Sequence, residues 1–274
     1  MTEAYIELHA RSAFSFLEGA SLPEELAQTA ANLGYPTMAL LDRDGVYGAS
    51  RFHLAAKKVG IRAHIGAEIT CTDGFQYPLL VESRAGYQNL CRLITRMKLR
   101  AKKGEGAVAP EELAEFAGGL ICLAPADSDA ATRGRGDAAK HIQRLIDIFG
   151  RPNVFAEIQR HMNREEEARN QAQIAAARRL QVPLVATNGV RTGDDVVRAL
   201  LSGARAVEIA SAVLSRGAAV IGEMHAGLEA YCARKKIARL GEIVGRAADG
   251  ALGYGAVAPV KRSGYPWDRF IRDA

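Results

Sequence analysis

The sequence Tyr5-Ile6-Glu7-Leu8-His9-Ala10-Arg11-Ser12 reads as a short strand that ends at a histidine and runs into a polar turn. Two later stretches end in a similar way. Leu40-Leu41-Asp42-Arg43 places an acid after an apolar run, and Ile65-Gly66-Ala67-Glu68 places a carboxylate inside one. Polar side chains at the C-terminal ends of successive strands form the site of an α/β barrel. We therefore expect His9, Asp42 and Glu68 to share one pocket.

Short apolar runs alternate with longer amphipathic segments along most of the chain. Strands are predicted at 4–9, 37–41, 63–70, 77–81, 119–124, 153–159 and 183–187. Helices are predicted between them, at 21–33, 48–59, 84–103, 110–116, 131–149 and 165–180. The Asp73-Gly74 turn indicates a hairpin between the third and fourth strands. Alternation of this kind is typical of parallel βαβ units, and roughly seven of them fit a barrel better than a sandwich.

The composition is that of an ordinary soluble globular protein, with 48% hydrophobic and 24% charged residues in a chain of 274. This length suits one sizeable domain with a small appendage. An uncharged apolar run of about 18 residues, which a membrane-spanning helix requires, is absent. The Met-Thr-Glu-Ala start carries no secretory signal, so we expect a cytoplasmic protein. The four cysteines form no Cys-x-x-Cys pair and are expected to be reduced.

The net charge of +5 gives little support for nucleic-acid binding. Residues 191–274 hold 13 Lys and Arg against 9 Asp and Glu, whereas residues 1–190 hold 23 against 22. The first two thirds of the chain are therefore nearly neutral. A basic cluster lies at the end of the helix predicted at 84–103, and we interpret it as a solvated helix terminus rather than a nucleic-acid contact.

Several ordered stretches resemble the PHP (polymerase and histidinol phosphatase) domain, and more narrowly the N-terminal PHP domain of error-prone C-family bacterial DNA polymerases. They run in the family's order from about residue 4 to 191: Glu7-Leu8-His9, Asp42-Arg43-Asp44-Gly45-Val46-Tyr47-Gly48, Gly66-Ala67-Glu68, Gly86-Tyr87-Gln88-Asn89-Leu90-Cys91-Arg92-Leu93, Glu157-Ile158-Gln159-Arg160-His161 and Ala186-Thr187-Asn188-Gly189-Val190-Arg191. The resemblance implies a distorted (β/α)7 barrel for residues 1–191. It also implies a polynuclear metal site with His and carboxylate ligands, which active members use to hydrolyse phosphoesters.

Half of the metal ligands that the resemblance implies are replaced in this chain. The positions that keep the family residue are His9, Asp42, Glu68 and His161. The positions that depart from it are Arg11, Arg43, Gly189 and Arg191, where the family has two histidines, an aspartate and a histidine. Arginine stays protonated and offers no lone pair to a metal. At about 4 Å it repels each unit of a cation's charge by roughly 4 kcal/mol at an effective dielectric near 20.

We therefore expect no cofactor and no confident catalytic residue. The acids Asp42 and Glu68 are predicted to pair with Arg11, Arg43 or Arg191, so that a salt-bridge cluster replaces the metal cluster. Two alternatives stay open. The four retained positions could bind one divalent ion, Zn or Mn, weakly. The arginines could instead form a pocket that binds phosphate bidentately without hydrolysing it.

The sequence changes character after Arg191. Residues 192–274 form a C-terminal extension, of which 192–258 is rich in Ala, Gly, Arg and Val, and helices are predicted at 196–213 and 224–244. The resemblance does not continue into this C-terminal extension. One hypothesis is that the extension follows a truncation or is read from a shifted frame of a GC-rich gene. The other is that it is a genuine, mainly helical addition to the domain.

The expected function is that of the PHP domain of an error-prone DNA polymerase, in which a separate palm domain performs nucleotidyl transfer during synthesis across damaged DNA. The expected partner is the polymerase core, on the same or a companion chain, with DNA contacted only indirectly and no membrane contact. The alternative is a stand-alone metal-dependent phosphoesterase on the same fold. A third hypothesis is a basic nucleic-acid-binding module, which predicts salt-sensitive DNA affinity.

Overall fold

The computed structural model describes residues 6–102, 104–126, 138–159, 166–187, 190, 192–207 and 219–247. Strands and helices alternate through these ranges. The strands are β1 Glu7–Ala10, β2 Thr37–Arg43, β3 Arg62–Thr70, β4 Gln76–Val81, β5 Leu120–Ala124, β6 Val154–Gln159, β7 Leu184–Thr187 and β8 Ala204–Val207. The helices are α1 Pro23–Asn32, α2 Ala49–Val59, α3 Arg84–Arg100, α4 Pro110–Phe116, α5 Ala138–Phe149, α6 Glu166–Arg179, α7 Gly193–Leu201 and α8 Ala219–Lys235.

The strands form one curled, mixed sheet in sequential order from β1 to β8. Neighbours are parallel except around β4, which pairs antiparallel with both β3 and β5. The predicted hairpin is therefore confirmed, and Gly74 supplies the positive φ of +90° that its turn requires. Seven of the strands in the described residues run in one direction, with β4 reversed. The predicted fold class, an α/β distorted barrel, is confirmed.

The two faces of the sheet bury different side chains because successive residues of a strand point to opposite sides. In β2, Ala39 and Leu41 join an interior cluster with Leu80, Leu123 and Val185. Met38 and Leu40 point the other way, into a cluster with residues of α1 and α2. Burial on both faces explains why β2 is continuously apolar up to Asp42.

The C-terminal extension contributes a strand that its sequence did not predict. The helix predicted at 196–213 is wrong at 202–207, because Gly203 adopts a φ of +109° and Ala204–Val207 then pairs with β7. The rest of that prediction, 208–213, lies outside the described residues. The sheet thus continues past the predicted boundary at residue 191. Residues of the extension also pack on one another in a separate apolar cluster that includes Leu200, Val220 and Met224.

Candidate functional site

His9 bridges two buried carboxylates in the interior of the barrel. Its Nδ1 lies 2.9 Å from Glu157 Oε1, and its Nε2 lies 2.9 Å from Glu68 Oε2. Only 7% of the His9 side chain is exposed, against 2% for Glu68 and none for Glu157. The three residues lie on β1, β3 and β6, so the contact joins strands that are not neighbours in the sheet.

The two carboxylates stabilise the protonated form of His9. Burial by itself lowers the pKa of His9, but the charges and hydrogen bonds of Glu157 and Glu68 outweigh burial and raise that pKa well above its usual value. Burial likewise opposes ionisation of Glu68, while the contacts with His9 and Arg11 lower the pKa of Glu68 to about 2. The bridge is therefore an ion cluster with a cationic centre.

Arg11 occupies a place beside Glu68 that a cation would need. Its Nε donates to Glu68 Oε2 at 3.1 Å, and a terminal nitrogen of the same guanidinium contacts the same oxygen. Arg11 also lies 3.5 Å from Glu18, which in turn pairs with Arg43. Both substituted positions that the structure describes therefore carry arginines that are neutralised by acids.

Asp42 lies in a separate cradle of serines. Its Oδ1 accepts from the backbone nitrogen and hydroxyl of Ser12, both at 2.8 Å, and from the hydroxyl of Ser15 at 2.9 Å. Leu41 faces the barrel interior, so the alternation of the strand directs Asp42 to the other face. The expected single pocket thus forms for His9 and Glu68, whereas Asp42 lies apart.

The predicted salt-bridge cluster forms around Glu68 but not around Asp42. Glu68 pairs with Arg11 as expected. Arg43 pairs with Glu18 instead of Asp42, and its backbone nitrogen donates to Ser15 at 3.0 Å. The remaining predicted site positions, His161, Gly189 and Arg191, lie outside the described residues.

Most of the described atoms of this site that could bind a divalent cation are already engaged by other side chains. Both ring nitrogens of His9 are engaged by carboxylates, and Glu68 Oε2 accepts from His9 and Arg11. Over the ranges that the structure describes, His, Cys, Asp and Glu form no group of three suited to holding a metal ion. Among the described residues, Glu157 Oε2 is buried without a hydrogen-bond partner. That oxygen by itself does not supply the several ligands that Zn or Mn requires.

Sequence reasoning missed Glu157 and the bracing roles of Ser12, Ser15 and Glu18. The signal for Glu157 was present, because it is a carboxylate within the apolar stretch Val154–Gln159, as Glu68 is within β3. No sequence pattern singled out Ser12 and Ser15. Their burial beside Asp42 identifies them as hydrogen-bond donors to a carboxylate.

Two arginines of the basic cluster on α3 are paired with acids. Arg96 contacts Glu115, and Arg100 contacts Glu112, in both cases through two guanidinium nitrogens. Both acids belong to α4. This arrangement agrees with the interpretation of the cluster as a solvated helix terminus.

Stability is expected to depend on pH with a maximum near pH 6. The pKa of His9 is higher in the folded state than in the unfolded state. His9 therefore contributes fully to the free energy of unfolding below its unfolded pKa of about 6.5, and this contribution is lost as pH rises through the folded pKa. The pKa of Glu68 is lower in the folded state, so its contribution of about 3 kcal/mol to the free energy of unfolding is lost as pH falls from 4.5 towards 2. Burial lowers the pKa of His141 to about 4, which adds to the loss in acid.

Urea unfolding at a series of pH values between 3 and 10 measures this profile. A His9→Gln variant should lose the decline between about pH 6.5 and 8, because glutamine does not titrate. A wild-type free energy of unfolding that stays constant over this range would contradict the assigned charge of His9.

The model of the PHP domain family matches residues 7–161 of the chain. An error-prone DNA polymerase of Anaeromyxobacter sp. is 41% identical over 203 residues, which cover 69% of this chain and 17% of the polymerase. The corresponding polymerase of Pseudomonas fluorescens is 37% identical over 187 residues, covering 68% of this chain and 17% of the relative. The chain thus spans about one sixth of the length of these curated relatives.

Comparison with solved structures gives more distant matches. A structure described as a metal-dependent phosphoesterase of Bifidobacterium adolescentis is 15% identical with a TM-score of 0.49, and the match covers 67% of this chain and 86% of that one. An amidohydrolase of Chromobacterium violaceum is 16% identical with a TM-score of 0.47, covering 68% and 87%. Within the described ranges, every helix is too short or too polar to cross a membrane.

Proposed function

Because this chain belongs to the PHP domain family, we propose that it is a structural, non-hydrolytic PHP domain of an error-prone DNA polymerase. The observation that carries the proposal is the contact of the Arg11 guanidinium with Glu68, beside a His9 whose two ring nitrogens are both engaged. A fixed positive charge stands where the family's metal chemistry needs ligands with free lone pairs.

The same contacts argue against His9 as a general base. A base must have a free nitrogen within reach of the proton that it removes. In this site each nitrogen of His9 faces a carboxylate, and the raised pKa keeps the ring protonated near neutral pH. The residues are arranged to join β1, β3 and β6 rather than to transfer protons.

The proposed setting is synthesis across damaged DNA in the cytoplasm, with nucleotidyl transfer supplied by other domains. The names of the relatives support this setting, and their additional length leaves room for a polymerase core. The domain would stabilise that core on the same or a companion chain. Contact with DNA would be indirect, because Arg96 and Arg100 of the basic helix are already paired with acids.

Metal content tests the proposal directly. The wild-type chain, purified without chelator, is expected to hold less than about 0.2 equivalents of Zn or Mn, because arginine competes for Glu68. Restoring histidines with Arg11→His/Arg43→His should raise the metal content at least several-fold. Elemental analysis of both proteins after dialysis against each metal gives the comparison.

An Arg96→His/Arg100→His variant is the matched control, since it adds two histidines on α3, away from the barrel interior, and should leave the metal content unchanged. Two to three equivalents of metal in the wild type, together with hydrolysis of a generic phosphodiester, would overturn the proposal in favour of a stand-alone phosphoesterase. Phosphate binding without metal or hydrolysis would instead identify an anion pocket.

A further inference from the structure

The loop between β1 and α1 exposes large apolar side chains to solvent. Phe16 is 83% exposed and Leu17 is 89% exposed, and Phe14 is 39% exposed. We call these three residues the edge-loop patch. On the neighbouring loop, between β2 and α2, Tyr47 is 58% exposed. Adjacent exposed aromatic and aliphatic side chains of this size are characteristic of a surface that another protein covers.

Buried, hydrogen-bonded residues of the same loop hold the patch in place. The residues that alternate with it, Ser12 and Ser15, are 0% and 2% exposed, and their hydroxyls donate to Asp42. The backbone nitrogens of Glu18 and Gly19 both donate to the carbonyl of Ser15 at 2.9 Å. The loop is therefore held in one conformation while its apolar side chains point outward.

Leu17 adopts a backbone conformation that an L-residue with a branched side chain rarely takes. Its φ of +64° lies in the left-handed region. Strain of this kind persists where surrounding contacts impose it, and it is frequent at binding surfaces. Here the strained residue is also the most exposed member of the patch.

The loops that carry the patch and Tyr47 lie together at the C-terminal edge of the sheet. Gly48, which follows Tyr47, packs closely against the loop that carries the patch. A Cβ added to Gly48 would lie 2.7 Å from Asp42 Oδ2 and 3.1 Å from both the Ser12 hydroxyl and Pro23. The Arg51 guanidinium lies over the Phe14 ring, 5.6 Å from its centre. The loops thus form one continuous surface.

The charges around this surface are already paired. Arg11 and Arg43 contact Glu18, and Arg51 forms two hydrogen bonds with Glu24. A nucleic acid would need cations that are free to contact phosphates. The surface offers apolar side chains with neutralised surroundings, which suits an apolar protein partner.

We propose that the edge-loop patch is the docking surface for the polymerase core that makes up the rest of the curated relatives. This inference rests on the proposed function. The chain corresponds to about 17% of those polymerases, so most of their polypeptide remains to cover the exposed side chains. The former metal-site edge of the barrel then serves as an interface: Asp42 holds the loop, and the loop presents Phe16 and Leu17 to the core.

The test is binding of the full chain to a fragment of the Anaeromyxobacter error-prone polymerase that lacks the segment matching this chain. That polymerase's own matching segment is the positive control. The variant Phe16→Ser/Leu17→Asn removes the two most exposed side chains of the patch, and asparagine tolerates the positive φ at position 17. Leu54→Ser/Leu99→Ser is the matched control, because these leucines are 67% and 82% exposed on α2 and α3.

Titration calorimetry is expected to give at least a tenfold loss of affinity for the patch variant and less than about a twofold loss for the control, as hot-spot residues usually show. Thermal melting should show that both variants remain folded. Amide hydrogen exchange should also show protection of residues 13–19 when the core is added to the wild-type chain.

The outcomes separate this inference from the proposed function. If the positive control binds and this chain does not, the proposed function fails. If the wild type and the patch variant bind equally well, the proposed function stands and the docking surface is overturned. If the chain forms a homodimer that the patch variant abolishes, without binding the core, a second copy is the occupant and the inference is also overturned.

Discussion

Replacing His9 with alanine is expected to lower the free energy of unfolding by about 3–5 kcal/mol, the usual cost of removing one partner from a buried ion cluster. The substitution leaves Glu157 fully buried without the ring nitrogen that lies 2.9 Å from its Oε1, and its other oxygen has no hydrogen-bond partner within the described part of the chain. Glu68 loses one of its two cationic neighbours. Urea unfolding at pH 6, monitored by circular dichroism, measures the effect.

His53→Ala is the matched control, because His53 is exposed on α2 and should change the free energy of unfolding by less than about 0.5 kcal/mol. Adding Glu157→Gln to His9→Ala should recover part of the loss, since the uncompensated buried charge is then removed. A loss below about 1 kcal/mol for His9→Ala would show that the bridge contributes little to stability.

Replacing Asp42 with alanine is expected to lower the free energy of unfolding by about 3 kcal/mol or more, because hydrogen bonds to a buried charged acceptor contribute about 1.5–3 kcal/mol each. The change removes the acceptor of the Ser12 backbone nitrogen and of the Ser12 and Ser15 hydroxyls. These donors lie at the base of the edge-loop patch. The loop should therefore become a site of rapid proteolytic cleavage in addition to the loss in global stability.

Asp42→Asn should lower the free energy of unfolding less than Asp42→Ala, because the asparagine side-chain oxygen can still accept hydrogen bonds from the serines. Asp147→Ala is the control, since Asp147 is exposed on α5 and its side chain accepts a hydrogen bond from Gln143. Chemical denaturation gives the stability change, and limited proteolysis with mass spectrometry locates the cleavage. Equal losses for Asp42→Ala and Asp147→Ala would exclude the serine cradle as a structural element.

Both predictions concern the same edge of the barrel, where arginines pair with acids. Arginine at position 11 ties Glu68 and His9 into an ion cluster, and arginine at position 43 contacts Glu18 in the edge loop. The two arginines, whose charges would repel a metal ion, thus hold the strands and the loop together. In the proposed function, that rigidity positions a docking surface instead of a catalytic centre.

The sequence by itself determined the fold class and the location of the site edge. Apolar runs with period and length typical of buried strands predicted the strands of the barrel, and the Asp73-Gly74 turn predicted the reversed strand β4. The substitutions at Arg11 and Arg43 are also visible without a structure, because the chemistry of arginine excludes it as a metal ligand. Local pattern is sufficient for such features.

Only the tertiary structure decided which side chains meet. Glu157 lies 148 residues from His9 in the chain, yet the curl of the sheet brings it to the other ring nitrogen. Asp42 was expected beside His9, but one step along β2 turned it to the opposite face and into contact with Ser12 and Ser15. The strand β8 formed where a helix was predicted, because the exposed edge of β7 offered backbone hydrogen bonds. The local sequence pattern does not encode such pairings, because they depend on which residues distant in the chain the fold brings together.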